Sequence, residues 1–171
     1  MRIIKKKEII DNNIRVNFFA LIFNSFFFIG FIPVASGTFA SAFSLLPFLI
    51  KPFNDIFVLI LFIVIFFIIS LFTGKSLIEK YGKDPSIFVM DEVIGMWLTM
   101  FVIRIFFSDI LLTDFVIGFL SFRFFDIVKI QPSIYFDKLN NSFGILMDDV
   151  ISGIYAGFAS SLLIYLIKPI L

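Results

Sequence analysis

Met90-Asp91-Glu92-Val93-Ile94-Gly95 is echoed further along the chain by Met147-Asp148-Asp149-Val150-Ile151-Ser152-Gly153. Each copy sets two adjacent carboxylates at the mouth of a long apolar run. A charge beside hydrocarbon is costly and needs a partner. Two acidic pairs repel each other, so the partner must be a cation. Asp91, Glu92, Asp148 and Asp149 facing one another would hold a divalent metal, and their hard oxygen donors favour magnesium, manganese or calcium over zinc. Gly95 lies one helical turn beyond Asp91, and Gly153-x-x-x-Gly157 makes a close-packing face of the kind membrane helices use. The two acidic helices are therefore expected to cross near Gly95 and Gly153. A plainer reading leaves each acid in water at a helix start, where it suits the helix dipole. The repetition favours metal.

Composition sets the class. The chain has 171 residues, 60% of them hydrophobic, with 28 Phe, and its mean hydropathy is +1.08. Soluble domains are about 45–50% apolar. The expectation is an all-α, polytopic membrane helical bundle. Histidine and cysteine are both absent, which excludes phosphohistidine and cysteinyl intermediates, Ser-His-Asp triads and disulfides. Catalysis here must use carboxylates, Lys, Arg, hydroxyls and hard metals. The net charge of +1 gives no field that points to nucleic acid.

Residues 1–16 read as a basic cytoplasmic terminus, and 17–171 as one membrane-embedded domain of about four to five spans, judged by the roughly 20 apolar residues a crossing needs. The first apolar stretch is broken at Pro33-Val34-Ala35-Ser36-Gly37-Thr38. Residues 18–32 are expected to lie at the interface or re-enter, and 38–50 to form a short span or half-span. Plain spans are expected over 56–73, 87–107, 115–125 and 143–167, with polar loops over 74–86 and 123–142. The amino terminus and these two loops hold five, three and three of the 14 Lys and Arg; Lys51, Arg104 and Lys168 hold the rest. That asymmetry puts the first group in the cytoplasm. The acidic motifs then share one membrane face.

Two further motifs fall on that face. Arg123-Phe124-Phe125-Asp126-Ile127-Val128-Lys129 spaces its charges along one side of a helix. It reads as an ion pair with a snorkelling lysine, or as a cationic clamp for phosphate with Asp126 as orienting group. Ser36, Gly37 and Thr38 open a helix, where backbone N–H groups bind anions and a hydroxyl can cap.

These four motifs, in their order along the chain, resemble the phosphatidylglycerophosphatase A family over about residues 17–165. Ser36, Ala40 and Ile130 depart from the family's usual residues and leave the charged groups in place. The resemblance implies a magnesium-dependent phosphatase of the bacterial inner membrane that converts phosphatidylglycerophosphate to phosphatidylglycerol. On that reading Asp91, Glu92, Asp148 and Asp149 hold metal, and Ser36, Gly37, Thr38, Arg123 and Lys129 hold phosphate. Asp126 or Asp149 directs the attacking water. The alternative from a different class is a small ion transporter using paired intramembrane acids.

Overall fold

The computed structural model describes residues 9–168; the first eight residues of the basic terminus, with four of its five Lys and Arg, lie outside the described residues. The described residues are all helix and loop. Seven α-helices follow in order: α1 (Phe18–Asn24), α2 (Ser36–Phe43), α3 (Ile56–Tyr81), α4 (Met90–Phe106), α5 (Leu112–Val128), α6 (Ser133–Asp137) and α7 (Ser142–Ile167).

Local chemistry sets most of the boundaries. Asp55 accepts hydrogen bonds from the N–H groups of Phe57 and Val58, which starts α3. Gly82, at φ +88°, ends it. Asn141 caps α7 by accepting from Gly144 N–H at 2.8 Å. Lys129 closes α5 in a left-handed conformation, φ +46°. Between α1 and α2 the chain turns back through Phe26, Phe27 and Phe28, all at positive φ. Each such non-glycine residue costs on the order of 1–2 kcal/mol. Hydrogen bonds from Phe27 N to Ile22 O and from Gly30 N to Ser25 O hold the turn.

Both expected polar loops are largely helical. Helix α3 continues to Tyr81, and Lys75 pairs with Glu79 on its exposed side at 3.8 Å. Helix α5 runs through Arg123 and Asp126 to Val128, and α6 occupies part of the remaining loop. The physical reason is common to both: polarity marks where a helix leaves an apolar setting, not where its backbone stops. Among the described residues two helices are long and apolar enough to cross a membrane, α3 and α7. Helices α4 and α5 have 17 residues each, about 26 Å at 1.5 Å per residue. With seven and eight residues, α1 and α2 are too short to cross alone.

Successive long helices alternate in direction. At one end Arg104 donates to the Asn54 carbonyl, before α3, at 2.8 Å. At the same end Lys168 pairs with Asp114, at the start of α5, at 3.5 Å. The starts of α4 and α7 and the ends of α3 and α5 gather at the other. Helix α4 is the buried centre, and its contact with α7 is the largest between elements. The expected crossing is there: a Cβ on Gly153 would run into the Gly95 carbonyl oxygen, and one on Gly95 would lie 2.8 Å from the Asp149 carbonyl oxygen. Thr99 Oγ1 donates to the Gly95 and Gly153 carbonyls at 3.0 and 3.2 Å. Trp97 ties α4 to α2 through its indole N–H and the Ser44 carbonyl, 2.7 Å. Large apolar side chains remain exposed along the outside of the long helices, including Phe57 and Phe72 of α3, Leu112 and Leu120 of α5, and Leu162 and Tyr165 of α7.

Candidate active site

A cavity of about 510 Å³ opens at the end where α4 and α7 begin. All ten residues singled out in the sequence line it: Ser36, Gly37, Thr38, Asp91, Glu92, Arg123, Asp126, Lys129, Asp148 and Asp149. Five elements or their termini contribute, so no single stretch of chain makes the site.

The start of α4 is set from below by the turn after α1. The Val89 N–H donates to the Asn24 carbonyl at 2.9 Å. A Cβ on Gly30 would collide with the backbone of Ile87. Asn24 is itself anchored, its Nδ2 donating to Thr73 Oγ1 and the Ala20 carbonyl, both at 2.8 Å. The first turn of α4 thus carries Asp91 and Glu92 into the cavity on a braced backbone.

Asp91, Glu92 and Asp149 each bring one carboxylate oxygen within 4.8 Å of the others. Asp91 and Asp149 are buried, at 6% and 3% exposure, and Asp91 Oδ1 has no hydrogen-bond partner. Three converging carboxylates with an orphaned buried oxygen suit a hard divalent ion. Asp148, expected as the fourth member, stands apart from that group. It accepts short hydrogen bonds from the Lys129 ammonium on one oxygen and the Ser133 hydroxyl on the other. The reason is helical: adjacent residues point about 100° apart, so Asp149 faces α4 while Asp148 faces the α5–α6 connection.

Lys129 also pairs with Asp137, at 2.5 Å. Burial pushes its ammonium down, but hydrogen bonds to Asp137 and Asp148 outweigh burial and hold it well above the usual lysine range. Arg123 pairs with Asp126 at 2.9 Å, and its Nη1 lies 3.5 Å from Ser41 Oγ. The expected hydroxyl cap on α2 does not form. Its N-cap is Ala35, at φ +52°, and the Ser36 hydroxyl instead donates to the Ser86 carbonyl at 2.9 Å. Glu92 reaches over to the first turn of α2: a Cβ on Gly37 would overlap its carboxylate, which would have to swing aside.

Sequence reasoning passed over several residues here. Lys83, Asp84 and Ser86 line the cavity from the loop after α3, and Asp137 lines it from α6; Ser133 holds Asp148. Asp137 sits in a polar stretch with no periodicity to mark it. Ser133 is a lone hydroxyl whose role depends on the fold of α6. Seven of the lining residues are acids and three are Lys or Arg. The excess of acids is one that a multivalent cation would offset.

Carboxylates and paired cations share one cavity on a helical scaffold, and a chain without histidine or cysteine has no imidazole or thiolate to offer there. The sequence profile of phosphatidylglycerophosphatase A matches residues 22–164. The chain belongs to the phosphatidylglycerophosphatase A family, and the family carries phosphatase activity toward phosphatidylglycerophosphate. A protein of Haemophilus influenzae named "Phosphatidylglycerophosphatase A" is 32% identical over 130 residues, 74% of this chain and 77% of its own length. A protein of Bacteroides thetaiotaomicron named "Putative phosphatidylinositol-3-phosphatase" is 28% identical over 147 residues, 83% of this chain and 91% of its own length. No solved structure matches the chain at a significant level.

Proposed function

We propose that this cavity removes the terminal phosphate of phosphatidylglycerophosphate in a magnesium-dependent hydrolysis, at the cytoplasmic face of a bacterial inner membrane. The observation that carries the reading is the carboxylate group Asp91, Glu92 and Asp149, with its orphaned Asp91 oxygen, in the same cavity as Arg123 and Lys129. Magnesium held by those three would neutralise the acids and polarise the phosphate oxygens.

The chain's own residues do the rest. Arg123, oriented by Asp126, and Lys129, held by Asp148, face the phosphoryl oxygens and stabilise charge spread over them. The backbone N–H groups at the start of α2 add donors. Asp149 is buried beside the reacting position and takes the proton of the attacking water. The water oxygen bonds to phosphorus, the bond to the glycerol oxygen breaks, and that oxygen gains a proton from solvent. The products are phosphatidylglycerol and inorganic phosphate.

Exposure and length support this membrane arrangement. Apolar side chains cover the outside of the long helices far beyond what a water-facing surface of this size carries. At 17 residues, α4 and α5 reach the lower limit for crossing, so all four long helices cross. The segment around α1 and α2 dips in from the site face, and its irregular backbone is covered by α3 and α4. The cavity then opens at headgroup level, where a lipid keeps its acyl chains in the bilayer while presenting its phosphate.

The test is phosphate release from phosphatidylglycerophosphate by purified protein in detergent, with and without magnesium, for wild type and Asp149→Asn. Release that needs magnesium and is lost in the variant is the expected result. Release indifferent to both would overturn the carboxylate–metal reading. Absence of release from folded wild type would overturn the phosphatase reading of this cavity.

A further inference from the structure

Lys129 is one of the two cations that face the phosphate in the proposed reaction, yet its ammonium already touches two carboxylates, Asp148 and Asp137. The two differ in kind. Asp148 is buried on α7, with its side chain 7% exposed and both oxygens engaged, one by Lys129 and one by Ser133. It cannot leave without stranding a charge away from water. Asp137 is the last residue of α6, with a side chain 45% exposed, and it pairs with Lys129. Its carboxylate can turn into water and stay solvated. Its backbone, by contrast, is held. A Cβ on Gly144 would lie 2.7 Å from the Phe136 carbonyl oxygen, so α6 lies tight against the start of α7. The Phe136 ring packs edge-on against Phe143 at 5.9 Å. Movement at Asp137 is therefore side-chain rotation, not displacement of α6.

We infer that Asp137 is a built-in stand-in for the substrate's phosphate: it occupies the outer side of the Lys129 ammonium until a phosphate takes its place, and reclaims that position as phosphate leaves. This rests on the reading of the cavity as a phosphatase site. The chemistry is an exchange of one oxyanion for another on the same donor. Lys129 keeps Asp148 throughout, so its position does not change. A phosphate arriving while Asp137 stays put would meet a carboxylate at close range, and like charges there weaken binding. Asp137 thus lowers affinity for substrate and product alike. In return, inorganic phosphate is displaced from the ammonium by a group already tethered beside it, where effective concentration is high.

The test compares wild type, Asp137→Asn and Asp137→Glu as full chains in detergent with magnesium. Each is titrated with inorganic phosphate by calorimetry and assayed on phosphatidylglycerophosphate. Asparagine keeps the shape and removes the competing charge. Its dissociation constant for phosphate should fall about fivefold, equivalent to ~1 kcal/mol. KM should fall with it, while kcat does not rise. Glutamate keeps the competing charge and should stay within about twofold of wild type. Phosphate binding that is unchanged or weaker in Asp137→Asn would overturn the exchange and leave Asp137 as a plain support for Lys129. Glutamate tightening as much as asparagine, or no phosphate binding in any variant, would overturn it too. The two readings separate cleanly. Tighter phosphate in Asp137→Asn from a protein that does not hydrolyse the lipid would sink the lipid assignment alone. Lipid hydrolysis without tighter phosphate would sink the exchange alone.

Discussion

Replacing Gly153 by Ala adds one methyl group at the contact between α4 and α7. That methyl would be aimed at the Gly95 carbonyl oxygen, with the Gly95 Cα also only 3.2 Å away. Its obstacle is backbone, so no rotamer change relieves it. The helices must part by roughly an ångström to reach ordinary contact distance. Alanine gains about 1 kcal/mol in helix propensity over glycine. Overpacking against a rigid neighbour costs about 1–3 kcal/mol, and the parting also stretches the Thr99 hydroxyl bonds to both carbonyls. The net expectation is a loss of about 1–2 kcal/mol in stability. Activity should suffer more. Asp91 and Glu92 ride on α4 and Asp149 on α7, so parting the helices pulls the carboxylate group apart. A misplacement of about 1 Å can cost about a hundredfold in rate. Gly118→Ala is the control: its Cβ would meet flexible side-chain ends, Ile103 Cδ1 and Met100 Sδ, both at 3.2 Å. It should stay within about 1 kcal/mol and threefold of wild type. The assays are thermal unfolding in detergent and phosphate release. Gly153→Ala with wild-type stability and rate would refute the close-crossing argument.

Other expectations follow from the same geometry. Magnesium should raise the wild-type melting temperature, and Asp91→Asn should abolish that rise, because a ligand that binds only the folded state stabilises it; calorimetric scans with and without chelator check this. Arg123→Lys keeps the charge but loses the planar fork that reaches Asp126 and Ser41, and kcat should fall about ten- to a hundredfold in steady-state assays. The raised ammonium of Lys129 contributes stability that is fully present below the ordinary lysine value, about 10.4, and is lost only as pH rises through its higher folded value. Lys129→Gln should therefore melt lower than wild type by a constant margin between about pH 7 and 9, measured by unfolding at each pH. At the far end of the bundle, Asp114 is buried, pairs with Lys168 and accepts the Leu111 N–H at 3.0 Å. Asp114→Asn should cost about 1–3 kcal/mol of stability and leave KM for the lipid unchanged, since the cavity lies at the other end.

What the sequence determined by itself was the helical class, the mechanisms it excludes and the cast of side chains that line one cavity. Absence of histidine and cysteine removed whole mechanisms. The doubled acidic motif with its glycines placed the crossing of α4 and α7 before any coordinate, because only glycine admits a backbone carbonyl at that distance. Helix ends were less legible: Lys75 to Tyr81 and Arg123 to Val128 read as loop by polarity but continue as helix, since a backbone hydrogen-bond ladder is indifferent to the solvent outside it. The tertiary structure alone decided who faces whom. It set Asp149 with Asp91 and Glu92, and turned Asp148 to Lys129 and Ser133. It also brought in Asp137, which carries no sequence signature. Adjacent carboxylates are interchangeable as letters. The roughly 100° between them on a helix makes one face a neighbouring helix and the other a loop, and only the packing says which.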